Sequence, residues 1–227
     1  MPLPHGRLEK EMKKFKIGLI RVLTSDDQEF VNTHGQFIEQ KFPALEVESR
    51  CIPDQWEGIH SPELAELAIP KIVATAKNFK DIDMILVSCA DDPGIEELRE
   101  AFPGIPVTGG GETTAALASK YPGKVGVLGI VEYAPRAYER MLSDRIILAK
   151  PDGVDSTLDL MTPKGRESCL KAGQQLKDAG ATVIVLGCTG LTTIGLAQEL
   201  ESKIGLPVID PVLAQGVFAC FEAARRI

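Results

Sequence analysis

The chain has 227 residues, room for one large α/β domain or two lobes of about 100 residues each, and either can bury a core without disulfide staples. Its 25 Lys and Arg against 32 Asp and Glu leave a formal charge of −7, the wrong sign for a polyphosphate, so no nucleic-acid partner is expected. Hydrophobic residues at 44% and charged residues at 25% describe a folded soluble chain rather than a disordered one.

Near the start stand Arg7, Lys10, Lys13 and Lys14. The apolar run at 15–22 is broken by Lys16 and Arg21 and leads into Ser25-Asp26-Asp27 instead of a small-residue cleavage site, so no secretory signal is expected. From there short β-branched runs alternate with helical periodicity, the pattern of βαβ units in a parallel sheet. The runs predict strands at 16–22, 46–51, 84–88, 107–108, 125–129, 155–158, 183–187 and 208–209. Helical spacing marks 62–77, 96–102, 113–120, 135–143, 164–179 and 214–225. The longest apolar runs, 84–87 and 183–186, fall far short of the roughly 20 residues of a membrane span, so no membrane partner is expected.

Cysteines stand at 51, 89, 169, 188 and 220 with no C-x-x-C pair, which suits reduced thiols in a cytoplasm. Histidines stand at 5, 34 and 60, none at zinc-site spacing from a Cys or acid, so no metal site is expected.

The order of elements repeats. Lys16-Ile17-Gly18-Leu19-Ile20 matches Lys124-Val125-Gly126-Val127-Leu128 at an offset of 108. Residues 83–90 match 182–189 at an offset of 99, and Gly104-Ile105-Pro106-Val107 matches Gly205-Leu206-Pro207-Val208 at an offset of 101. Three landmarks in one order argue for two copies of a half. The expected fold is α/β with two pseudo-symmetric lobes, each a four-stranded parallel sheet flanked by helices, and an active site in the cleft between them. The first lobe is expected over 1–108, completed by a C-terminal helix at 210–227, and the second over 109–209.

In both halves a Cys follows the matching strand, Cys89 and Cys188, at the carboxyl end where α/β sheets place ligand loops. Ala90-Asp91-Asp92-Pro93-Gly94 and Thr189-Gly190-Leu191-Thr192-Thr193 follow as small polar turns into helices, a setting that stabilises a thiolate. A Cys ending a buried strand is also an ordinary small core residue. It is the pairing across the repeat that favours chemistry: lobes facing one another would set one thiol on each wall, one removing a proton from a carbon and the other returning it. Cys51, Cys169 and Cys220 have no counterparts and are assigned to packing.

Gly109-Gly110-Gly111-Glu112-Thr113 either cradles an anion at a helix start or is a plain loop with an acidic first turn. Arg21, Thr24 and Ser25 either reach the cleft as donors or serve as loop and cap residues.

Ser88-Cys89-Ala90-Asp91-Asp92-Pro93-Gly94, Gly109-Gly110-Gly111-Glu112 and Leu186-Gly187-Cys188-Thr189-Gly190 together resemble the aspartate/glutamate/hydantoin racemase superfamily, closest to its hydantoin and allantoin racemase branch. The resemblance spans about residues 15 to 220. It implies a racemase without a cofactor, a small-molecule substrate and a homo-oligomer, with Cys89 and Cys188 as the acid/base pair. It further implies substrate contacts from the loops at Thr24, Gly111-Glu112 and Thr189-Gly190; Arg21 at the end of the first strand, and Ser88 and Ala90 on either side of Cys89, are further candidate contacts. The hydantoin branch tends to carry Asn-Pro-Asn-Thr after the first strand, where this chain has Arg21-Val22-Leu23-Thr24 and keeps only the Thr. Amino-acid racemases tend to carry Cys-Asn-Thr and Cys-Thr-His, and only Thr189 matches these. Four activities therefore stand open: racemisation of a 5-substituted hydantoin or related ureide, racemisation of an amino acid of the aspartate or glutamate type with Arg21 on its carboxylate, a one-Cys decarboxylase or isomerase, and small-anion binding without turnover.

Overall fold

A computed structural model describes residues 14–226; Arg7, Lys10 and Lys13, part of the secretory-signal expectation, and His5 lie outside the described residues. The first half runs β1 (Phe15–Arg21), α1 (Gln28–Lys41), β2 (Leu45–Cys51), α2 (Pro62–Ala76), β3 (Met84–Ser88), α3 (Ile95–Ala101) and β4 (Val107–Gly109). It is followed by α4 (Gly110–Ala118), β5 (Lys124–Leu128), α5 (Arg136–Leu142), β6 (Ile146–Ala149), α6 (Pro163–Asp178), β7 (Ala181–Leu186), α7 (Gly190–Thr193), α8 (Leu196–Ile204), β8 (Val208–Ile209) and α9 (Pro211–Ala224). The strands form two four-stranded sheets in the orders β2-β1-β3-β4 and β6-β5-β7-β8, with every pairing parallel. The second order is the first repeated, as the sequence landmarks predict. Among the described residues no helix is long and apolar enough to cross a membrane.

The inner strands are apolar on both faces because helices cover both: all five residues of β3 are buried, as are five of the six in β7. The glycine shared by the repeated first strands has a packing cause. A Cβ on Gly18 would come 2.7 Å from the Phe79 ring, and one on Gly126 would come 3.0 Å from the Cβ atoms of Ala181 and Leu176. In each lobe the chain entering the third strand crosses over the first, and only a bare α-carbon leaves it room.

The fourth strand of each sheet feeds a helix to the other sheet. Helix α4 leaves β4, and its Ala115 and Ala118 pack among Val125, Val127, Val183 and Val185 of the second sheet. Helix α9 leaves β8 and returns, with Val212, Ala219 and Ala223 packed among Ile17, Leu19, Met84 and Leu86 of the first. The two crossing helices also touch one another.

Four expectations are corrected. The strand expected at 155–158 is absent; β6 is Ile146–Ala149, and the Asp159 carboxylate instead accepts the amides of Asp155 and Ser156 at 3.0 and 2.9 Å, folding that segment into a turn. Helix α4 begins three residues earlier than expected, at Gly110, because Asp92 caps it from another loop. Helix α9 likewise starts at Pro211, capped by Asp210, rather than at 214. Finally, α1 and α8 fall where the helical spacing marks no span, although the βαβ order and the turn after Cys188 call for helices there. Helix α1 buries Val31, His34, Gly35 and Ile38, an inward stripe at helical spacing that a His and a Gly disguise.

Candidate active site

The carboxyl ends of β1, β3, β5 and β7 border one cavity of about 420 Å³ between the lobes, within the usual span of small-ligand sites. Cys89 follows β3 directly and lines one wall. Cys188 follows β7 after Gly187 and lines the other. The Gly187 amide donates to the Leu128 carbonyl at 2.7 Å, so the parallel ladder extends to the residue before the thiol. The Thr189 hydroxyl donates to the Ser88 carbonyl at 3.1 Å and ties the two cysteine loops together across the lobes.

Burial pushes both thiols up, contrary to the expectation of a stabilised thiolate. Burial raises Cys188 to about 11, although the amides of Gly190 and Leu191 and the charge of Arg21 pull the other way; the Gly190 amide stands 3.3 Å from Sγ. Cys89 is raised well above the ordinary thiol range, first by burial and then by the Asp91 carboxylate. Loss of solvent outweighs the donors at the loop starts.

Of the ten residues expected in the site, Arg21, Thr24, Ser88, Cys89, Ala90, Cys188, Thr189 and Gly190 line this cavity. Gly111 and Glu112 do not. Their amides donate to Asp92 at 2.7 and 2.6 Å, and the Glu112 carboxylate accepts from Thr108 at 2.6 Å and Arg99 at 2.7 Å. A Cβ on Gly109 would collide with the Asp92 side chain and one on Gly111 with the Ala90 carbonyl, so the glycine run seats the loop that carries Cys89 and lies outside the cavity lining. Burial raises Asp92 to about 7 against the pull of the Gly111 amide.

The Arg21 side chain is almost fully buried and donates through Nη1 to the Phe30 carbonyl at 2.8 Å and through Nη2 to Thr193 Oγ1 at 3.3 Å. Phe30 also stacks on it, 4.8 Å from ring centroid to guanidinium carbon. Burial lowers Arg21 to about 10, which leaves it charged at neutral pH, and no carboxylate among the described residues forms an ion pair with it. The Thr24 hydroxyl pins its loop, donating to the Ile52 carbonyl at 2.7 Å and accepting the Gln55 amide at 2.7 Å.

Sequence reasoning missed two groups. His34 is fully buried behind the cysteine loops, with Nδ1 at 2.7 Å from Ser88 Oγ and Nε2 at 2.8 Å from Thr193 Oγ1. Its signal was the Asp27 cap followed by the 31, 34, 35, 38 stripe. The mouth of the cavity carries Trp56, Leu158 and Met161, exposed by 58%, 58% and 44%. Their two loops come from opposite lobes and meet where Thr157 Oγ1 donates to the Glu57 carbonyl at 3.0 Å. Loop residues of this kind carry no periodicity to detect.

Two facing α/β sheets with a thiol on each wall of the cleft define the class, and comparison with known proteins gives the family. The family model described as Asp/Glu/Hydantoin racemase matches residues 32–218. The chain belongs to the Asp/Glu/hydantoin racemase family, whose named members are isomerases. It is 25% identical over 172 residues to a hydantoin racemase of Paenarthrobacter aurescens, covering 70% of this chain and 69% of that one. It is 27% identical over 173 residues to a hydantoin racemase of Pseudomonas sp. (strain NS671), covering 67% of this chain and 64% of that one, so the match spans about two thirds of these relatives. Allantoin racemase from Klebsiella pneumoniae shares the fold, with a TM-score of 0.79 at 22% identity, covering 94% of this chain and 89% of that one.

Proposed function

We propose that the protein is a cofactor-independent racemase that inverts an acidic C–H centre between Cys89 and Cys188, acting on a 5-substituted hydantoin or related ureide. The observation that carries this reading is the shared cavity, bordered by one thiol from each half of the repeat. A thiolate on one wall takes the ring C5 proton, the electron pair moves onto the adjacent carbonyl oxygen as an enolate, and the thiol on the other wall protonates the opposite face. The ring carbonyls acidify that C–H, which brings it within reach of a thiolate base.

The electrostatics support an anion formed in place. Arg21 brings a buried positive charge with no carboxylate paired to it among the described residues, and the enolate or the Cys188 thiolate supplies a counter-charge. An amino acid would need a free guanidinium fork for its carboxylate, whereas Nη1 of Arg21 is held by the Phe30 carbonyl. Trp56, Leu158 and Met161 favour an apolar ring substituent at the mouth.

The test is proton exchange in deuterium oxide with each enantiomer of 5-benzylhydantoin, followed by NMR of the C5 hydrogen. The wild-type protein should exchange and racemise both. Cys89→Ser and Cys188→Ser should each lose racemisation by more than about 10²-fold, and residual exchange should come from opposite enantiomers in the two variants. Exchange from the same enantiomer in both, or normal racemisation in either, would replace this reading with one-Cys chemistry. Exchange of glutamate or aspartate in place of the hydantoin would replace the substrate.

A further inference from the structure

Behind the thiols runs a chain of four side chains from Arg21 to Ser88. Arg21 Nη2 stands 3.3 Å from Thr193 Oγ1, Thr193 Oγ1 stands 2.8 Å from His34 Nε2, and His34 Nδ1 stands 2.7 Å from Ser88 Oγ. A guanidinium can only donate, so Thr193 accepts from Arg21. The single Thr193 proton has two groups within reach, His34 Nε2 at 2.8 Å and the Thr189 carbonyl at 3.5 Å; were Nε2 to donate to Thr193, that proton would be left with the long contact alone, so the short one makes Thr193 the donor. With Nε2 accepting, a neutral imidazole carries its proton on Nδ1 and donates it to Ser88 Oγ. Burial and the nearby Arg21 charge hold His34 well below its ordinary pKa, in keeping with a neutral ring. Ser88 Oγ has no other side-chain or backbone partner among the described residues, and Ser88 lines the cavity beside Cys89.

We infer that Arg21, Thr193 and His34 fix the direction of this chain so that the Ser88 hydroxyl donates its proton into the cavity, onto the enolate oxygen formed as C5 is deprotonated. His34 and Thr193 are positioning residues, and Ser88 is the group that touches substrate. This role rests on the racemase reading above, while the direction of the chain does not.

The direction is read in the intact protein labelled with 15N-histidine, from the two-bond nitrogen-to-carbon-bound-proton spectrum at pH 7, with His34 assigned by its loss in His34→Gln. The Nδ1–H tautomer is expected; an Nε2–H tautomer or an imidazolium overturns the chain. Thr193→Val keeps the shape and removes the hydroxyl, leaving the Thr189 carbonyl to take an Nε2 proton, so the ring should switch to Nε2–H and turn the Ser88 proton inward. That variant should lower kcat about tenfold with little change in KM, and Thr193→Ser should restore both the tautomer and kcat. Ser88→Ala should lower kcat by about 10²-fold, and adding Thr193→Val to it should cost little more, since both remove the same donor. Wild-type kcat in Thr193→Val, or additive losses in the double variant, overturns the positioning role. A wild-type protein that leaves hydantoin C5 unexchanged overturns the racemase reading and Ser88's part in it, while the tautomer still decides the chain.

Discussion

In the two-thiol mechanism proposed above, Cys188 would be the readier base, since it alone gains the amides of Gly190 and Leu191 and the charge of Arg21, while Cys89 faces Asp91 and Asp92. With Cys188 held at about 11, only a small fraction is thiolate in the free protein at neutral pH. Because the base must be deprotonated and its pKa is raised, kcat/KM should climb about tenfold per pH unit between about pH 7 and 9. A plateau reached below about pH 8 would show that the free protein ionises a cavity thiol far more easily than burial allows. The two cysteines were legible in the sequence because duplication wrote the same signal twice. His34 and Trp56 were not, since each occurs once, one on the inner stripe of a polar helix and the other in a loop. Gly111 and Glu112 misled for a different reason: a glycine run that seats a neighbouring loop reads the same as one that cradles an anion.

At the scale of elements, the paired glycines of β1 and β5 offer a graded test of packing. Alanine at Gly18 would press into the Phe79 ring at 2.7 Å, and alanine at Gly126 would meet Ala181 and Leu176 at 3.0 Å. Overpacking of this kind costs about 1–3 kcal/mol, and Gly18→Ala should lose more than Gly126→Ala in urea denaturation, through a lower midpoint at unchanged slope. The reverse order would mean that the Phe79 ring yields more readily than the second-lobe side chains. The inner strands were legible because burial on both faces demands continuous apolar runs. The misplaced sixth strand shows the limit: 155–158 and Ile146–Ala149 both lie between α5 and α6, and 155–158 is turned away from the sheet by the Asp159 carboxylate, whose bonds to the Asp155 and Ser156 amides no apolar pattern announces.

For the whole molecule, the exchange of α4 and α9 makes each lobe depend on the other. Each sheet is covered by a helix that begins at the edge of its partner, so neither half closes its own core. Thermal unfolding should therefore be a single transition, with fluorescence of Trp56 in the first half and far-UV circular dichroism melting together; two separated transitions would mean that the lobes are independent. The described ends of the chain also meet, for the Arg226 guanidinium carbon lies 5.2 Å from the centroid of the Phe15 ring. Joining 226 to 15 through a short linker and opening the chain in the link between α4 and β5 would thus reverse the order of the halves while leaving each strand beside its present neighbours. A protein so permuted should fold with the same cavity and the same reactivity, because a duplicated architecture closed in this way is a ring in which the place of the first residue is arbitrary.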